Sequence, residues 1–210
     1  MGNRHTVIVG LTGQTGAGKS TVASLLSGYG FAVVDADQTA RTVTEKGSPV
    51  LKELAQFFGA DILNGDGSLD RARLAARAFS SQEGTELLDS ITHPEIVRRM
   101  LAQAEEAFLE GYEAAILDAS QLFEAGLDSR CGLIISVVAP DRRRLVRIME
   151  RDGIDAEAAK KRMQAQHDRK FFEENADYVI HNTGTLEDLA DQVREIAGII
   201  EKTIAGGEEM

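Results

Sequence analysis

Eight residues, Gly13-Gln14-Thr15-Gly16-Ala17-Gly18-Lys19-Ser20, constrain this chain more than any other stretch. They fit G-x-x-x-x-G-K-[ST] at every fixed position, the pattern of a phosphate-binding loop. Glycines at 13, 16 and 18 let the backbone curl until its N–H groups point inward. The helix that begins at Lys19 and runs through Thr21 adds partial positive charge at its start. In such a loop Lys19 reaches the β- and γ-phosphates and the Ser20 hydroxyl ligates Mg²⁺. The surroundings agree, since the apolar run 7–11 reads as a strand and 19–26 as a helix that Gly28 or Gly30 ends.

Other short, β-branched runs lie at 32–35, 115–118, 133–138 and 178–181. Continuous apolar runs of this kind suit strands buried on both faces, and helical patterns separate them, so the chain reads as βαβ units in an α/β fold. Ser48-Pro49 is a helix start that Gly59 ends, and Asn64-Gly65-Asp66-Gly67 is a turn whose acidic spacing does not suit calcium. From 69 to 111 the pattern is almost wholly helical, with a break expected at His93-Pro94 and an apolar stripe of Val97, Leu101, Ala104 and Phe108 after it. That length exceeds an ordinary βα connection. The reading is a P-loop core built from 1–62, 112–140 and 176–210, a helical substrate-binding insertion at 63–111, and a charged lid at 141–175. Leu186, Leu189, Val193, Ile196 and Ile200 mark a last helix packed on the sheet, with a free tail from Gly206 to Met210.

The bulk properties exclude several classes. The net charge is −11, from 23 basic and 34 acidic side chains, which argues against a nucleic-acid partner. No apolar run approaches the length that spans a membrane. The N-terminus is polar and lacks a signal-peptide pattern, so the expected place is the cytoplasm. The single cysteine, Cys131, reads as a small inert residue beside a strand. No Asn-Lys-x-Asp guanine motif is present, and no long apolar strand ends in an Asp-Glu pair. These absences favour a small-molecule kinase using ATP over a GTPase or an ATPase motor.

Asp35-Ala36-Asp37 follows the second strand, and two carboxylates two residues apart in an extended segment would point the same way. One could take the proton of an attacking hydroxyl while the other fixes a Mg²⁺-bound water or substrate; a solvated turn or a helix cap is the alternative. Arg143, Arg147 and Arg151 recur every four residues, so a helix would align them on one face. Arg147 and Arg151 read as lid arginines that close over ATP. Arg142, Arg143 and Arg144 read as a solvated face, and Arg162 and Gln166 as weaker lid candidates. Asp118 ends an apolar strand, where it could hold Mg²⁺ through water or cap a turn. His167 and His181 read as surface or packing residues.

Together these residues resemble the dephospho-coenzyme A kinase family. The resemblance is carried by Gly10-Leu11-Thr12-Gly13 with the phosphate loop, Val34-Asp35-Ala36-Asp37 followed by Ala40-Arg41, and Thr92-His93-Pro94. It continues through Leu122-Phe123-Glu124, Arg147, Arg151, Gln166 and Ala176-Asp177-Tyr178-Val179-Ile180 with Asn182. The resemblance implies phosphorylation of the ribose 3′-hydroxyl of dephospho-coenzyme A by ATP with Mg²⁺, on a five-stranded parallel core with a helical coenzyme-A-binding part and a mobile lid. It places Asp37 as general base and Asp35, Arg41, His93, Leu122, Phe123 and Glu124 on the acceptor side. Asn182 falls on the nucleotide side. Ser120-Gln121 stands where the family usually has Pro-Leu. The expected partners are small molecules, and the expected state is a monomer or weak homo-oligomer. The competing readings are a nucleoside or nucleotide kinase and a P-loop protein that senses ATP without turnover.

Overall fold

The computed structural model describes residues 5–206, so residues 1–4 and 207–210, most of the expected free tail, lie outside the described residues. Five strands form one parallel α/β sheet, β1 (Val7–Gly13), β2 (Ala32–Asp35), β3 (Ala114–Asp118), β4 (Leu133–Val138) and β5 (Tyr178–His181). Their order across the sheet is β2-β3-β1-β4-β5. The register sets Val9 beside Ile116 and Leu11 beside both Asp118 and Ile135. All five residues of β3 are buried, as expected of a strand covered on both faces.

Among the described residues the helices are α1 (Lys19–Gly28), α2 (Ala36–Val43), α3 (Pro49–Phe58), α4 (Arg71–Ala78), α5 (Gln82–Glu110), α6 (Asp141–Asp152), α7 (Ala156–Gln164), α8 (Arg169–Glu174) and α9 (Leu186–Gly206). Helices α1 and α9 bring Val22, Leu26, Val193, Ile196 and Ile200 into one core with Val9, Leu11, Ile116, Ile135 and Val137. Each such side chain contributes about 1.5–3 kcal/mol by leaving water. Helix α3 starts as its sequence says, with Ser48 Oγ accepting the Leu51 N–H at 3.0 Å and Pro49 in the first turn. The 64–67 turn closes through Gly67 N–H to Asn64 O at 2.8 Å.

The described chain divides into two compact units, Asp35–Gln103 and the remainder. The helical unit therefore takes in α2 and α3, whereas sequence reading starts the insertion at residue 63. It has its own core of Val43, Leu54, Phe58, Ile62, Leu74 and Ile91.

Two expectations about α5 need correcting. The helix does not break at His93-Pro94 but runs through Pro94 without interruption. Proline removes one N–H and costs roughly 3 kcal/mol. Buried residues on both sides, Ile91 and Met100, hold the helix together across that gap. The buried face is Met100, Ala104 and Ala107 rather than the row 97, 101, 104, 108. At about 100° per residue the two stripes share Ala104 but are centred roughly 65° apart around the helix, so the inward face lies to one side of the expected row.

Candidate active site

The loop between β1 and α1 forms a cradle of backbone donors. Its chain turns through Ala17 N–H to Gln14 O at 3.0 Å, and Gln14 N–H is anchored to Val137 O of β4 at 3.1 Å. Three consecutive carbonyls of the turn are taken by side chains from elsewhere in the chain. Thr15 O accepts from Arg144 Nε at 2.9 Å, Gly16 O from Arg147 Nη1 at 3.3 Å, and Ala17 O from Asn182 Nδ2 at 2.7 Å and Arg147 Nη1 at 3.2 Å. The N–H groups of Gly16, Gly18, Lys19 and Ser20 meet no acceptor among the described residues. Gly18 has φ of 104° at the start of α1, and a Cβ there would lie 2.5 Å from Asn182 Nδ2, so only glycine fits. Four unpaired N–H groups in a glycine loop that leads into a helix N-terminus suit an anion site of the kind that binds phosphates.

Lys19 and Asp118 form an ion pair beside this cradle. Asp118 is 7% exposed, at the carboxyl end of β3. The carboxylate balances the ammonium charge that a triphosphate would otherwise meet. Ser20 and Thr21 are exposed, and their hydroxyls have no partner among the described residues.

Helix α6 supplies the outer wall, and here one expectation fails. Arg144 is not on a solvated face; it is 3% exposed, donating to Thr15 O and to Asp141 at 2.9 Å. Its burial pushes the guanidinium pKa below its ordinary value, with Asp141 opposing. The signal was in the sequence: Arg144 stands four residues before Ile148, and these two are the buried residues of α6. Arg147 touches the loop, whereas Arg151 points outward and is bonded to Asp152 at 2.7 Å. Arg143 reaches the loop after β5 through Gly184 O at 2.8 Å. Gln166 accepts the Thr15 N–H at 2.6 Å, and Arg162 pairs with Asp152. Asn182 is 5% exposed, and its amide N–H is committed to Ala17 O.

Leu122 is fully buried and packs against Gly10, so it anchors its neighbours rather than lining a surface. Phe123 meets Phe171 edge-on at 5.1 Å, and His167 stacks on Phe171 at 3.7 Å while lying 3.5 Å from Glu124. His167 thus precedes α8 and packs against it. Cys131 donates to Leu127 O at 3.2 Å, and burial pushes its thiol up to about 12, which makes it inert.

In the helical unit the acid pair is not extended. Asp35 is the N-cap of α2, its Oδ1 accepting from Asp37 N–H at 2.7 Å and Gln38 N–H at 3.1 Å. Asp37 and Arg41 lie one turn apart on α2, both exposed, with no side-chain partner among the described residues. The two carboxylates therefore have different jobs, because Asp35 spends its oxygen on the backbone and Asp37 keeps both of its own. His93 lies 3.4 Å from Asp89, whose carboxyl is pushed up by burial, with His93 opposing.

The family model for dephospho-CoA kinase matches residues 7–188. A dephospho-CoA kinase of Corynebacterium glutamicum is 45% identical over 195 residues, covering 92% of this chain and 98% of the relative. A solved structure from Thermus thermophilus superposes with a TM-score of 0.77 at 34% identity, covering 92% of this chain and 97% of its own. The solved dephospho-CoA kinase of Campylobacter jejuni gives a TM-score of 0.70 at 27% identity, over 93% and 98% of the two chains. A phosphate cradle on a parallel sheet, matched over nearly the whole chain by kinases of one kind, assigns this protein to the dephospho-CoA kinase family.

Proposed function

We propose that this chain transfers the γ-phosphoryl group of ATP to the ribose 3′-hydroxyl of dephospho-coenzyme A, giving coenzyme A and ADP, the last step of coenzyme A biosynthesis. The observation that carries this reading is the set of N–H groups of Gly16, Gly18, Lys19 and Ser20 without an acceptor among the described residues, beside a lysine whose charge is already balanced. The triphosphate lies on those groups, and Lys19 turns from Asp118 to the β- and γ-phosphates. Asp37 accepts the proton of the 3′-hydroxyl as its oxygen bonds to the γ-phosphorus, while the bond from that phosphorus to ADP breaks and ADP leaves with the electron pair. General-base assistance of this kind is typically worth ~10²–10⁴-fold. Asp35 holds the start of α2 and so the position of Asp37. Arg41 and His93 meet the acceptor, and Phe123 and Glu124 shape the loop that faces it.

The donor set suits Mg²⁺, with the hydroxyl of Ser20, which has no partner among the described residues, and the carboxylate of Asp118 as hard oxygen groups. No cluster of three or more His, Cys, Asp or Glu able to hold a metal exists among the described residues, in keeping with an ion held mainly by phosphates and water. When bound, Mg²⁺ neutralises charge on the phosphate oxygens.

Segment 63–111 takes the pantetheine arm of the acceptor, and 141–175 acts as the lid, with Arg147, and Arg151 once it turns inward from Asp152, excluding water and offsetting charge on the γ-phosphoryl. Water must be excluded because an open site would hydrolyse ATP. No described helix is long and apolar enough to cross a membrane, and we place the enzyme in the cytoplasm, acting on small molecules.

Product analysis tests the reading. With Mg²⁺, ATP and dephospho-coenzyme A, chromatography should show coenzyme A forming in step with ADP. ADP formed without coenzyme A would refute it.

A further inference from the structure

Thr15 is held at both of its backbone groups by side chains far along the chain. Gln166 accepts its N–H at 2.6 Å, and Arg144 Nε donates to its C=O at 2.9 Å. Each bond spans more than a hundred residues, 151 and 129 positions respectively. In a trans peptide the C=O and the following N–H point in opposite directions. A donor that draws Thr15 O outward therefore turns the Gly16 N–H inward, into the cradle. The same geometry links Ala17 O, held by Asn182 Nδ2 at 2.7 Å, to the Gly18 N–H. Helix α6 is also seated tightly on this part of the loop: a Cβ on Gly16 would lie 2.9 Å from Arg144 O, and Gly16 has φ of 75°.

We propose that Arg144 and Gln166 are positioning residues that clamp the Thr15 backbone and so aim the Gly16 N–H at the bound phosphate. Neither needs to touch ATP. Arg144 lies beneath the loop and spends Nε and Nη1 on Thr15 O and Asp141. The clamp also makes the donor geometry of the loop depend on 141–175, because both side chains come from that segment. This inference rests on the loop binding a nucleoside triphosphate, and it says nothing about which acceptor is used.

The geometry predicts a specific kinetic pattern. A phosphate contact made through the Gly16 N–H exists in both the ground state and the transition state. Losing it should raise KM and leave kcat nearly unchanged. Hydrogen bonds to charged groups are the strong kind, so ATP should bind about tenfold more weakly.

The test uses the full chain and two variants. Arg144→Met keeps an unbranched, flexible side chain, shorter than arginine, and removes every donor. Calorimetric titration with ATP should show the roughly tenfold loss, and the Gly16 amide resonance should no longer make the shift that ADP induces in the unaltered protein. Arg144→Lys should restore part of both. If Arg144→Met lowers only the melting temperature, with ATP affinity within about twofold and the Gly16 shift intact, the residue is structural and the proposal fails. Should Arg144→Met not fold, Gln166→Leu decides by the same two readouts, since Gln166 is half-exposed and outside the core. Absence of coenzyme A formation by the unaltered protein would overturn the acceptor assignment and leave this result standing.

Discussion

The phosphate loop and helix α2 both carry the charged groups that phosphoryl transfer needs, but they hold them in opposite ways. Around the loop, the charged groups are already engaged. Lys19 faces Asp118, Arg144 and Arg147 hold loop carbonyls, and Asn182 holds Ala17 O. On α2, the side chains of Asp37 and Arg41 are exposed and carry no partner among the described residues. Binding at the loop is then an exchange of partners on a fixed frame, which costs little reorganisation. Binding at α2 must order free side chains, at roughly 0.5–1.5 kcal/mol for each one immobilised. A nucleotide site shared by many enzymes can be built in advance, while recognition of one acceptor is completed by the acceptor itself.

This contrast gives four expectations. Lys19→Ala should have the largest effect, lowering turnover by about a thousandfold or more with the fold retained, as judged by circular dichroism. Near-normal activity in the folded variant would rule out the phosphate site. Asp37→Asn should lower kcat by about two to four orders of magnitude with ATP affinity changed much less. Asp35→Asn should be mild, because asparagine caps a helix nearly as well as aspartate, whereas Asp35→Ala should lose about 1 kcal/mol of stability. If Asp35→Asn harms turnover more than Asp37→Asn, the base has been assigned to the wrong carboxylate.

Smaller effects concern the lid and the acid end of the pH range. Helix α6 is tied to the loop by Arg144 and Arg147 and to the loop after β5 by Arg143. Hydrogen exchange should therefore slow on binding ATP and an acceptor analogue mainly in 156–175, with α6 protected beforehand. Equal exchange with and without ligands would remove the lid. In the helical unit, bonds from Arg98 and Arg99 hold the Glu95 carboxyl down at about 2, against an ordinary 4.5. Its contribution to stability is complete above the unfolded value and is lost as pH falls from 4.5 towards about 2. The three groups are partly exposed and screened, so Glu95→Gln should cost less than about 1 kcal/mol at neutral pH and should flatten the acid limb of the unfolding curve. An unchanged acid limb would contradict this.

Much of the nucleotide half was legible in the sequence because its signals are local. Gly13 to Ser20 specify a loop and the start of a helix within eight residues, and the β-branched runs mark the five strands to within a residue or two. The Ser48-Pro49 start of α3 is likewise a short-range instruction. What sequence reading misplaced is set at long range. Arg144 reads as solvated until α6 is seated on the loop, 129 positions away from its partner. Pro94 reads as a break because local propensity does not include the burial of Ile91 and Met100. Asp35 and Asp37 read as pointing the same way because alternation assumes an extended segment, and the chain turns into a helix between them. The boundary at Asp35 follows from packing of α2 and α3 that no composition shift announces.

One rate comparison reaches the core of the assignment: ADP release with dephospho-coenzyme A, with coenzyme A, with a nucleoside monophosphate, and with no acceptor. Dephospho-coenzyme A should accelerate release strongly. Coenzyme A should not, because its 3′-oxygen already carries phosphate. Equal release in all four, or acceleration by the nucleoside monophosphate alone, would contradict the account.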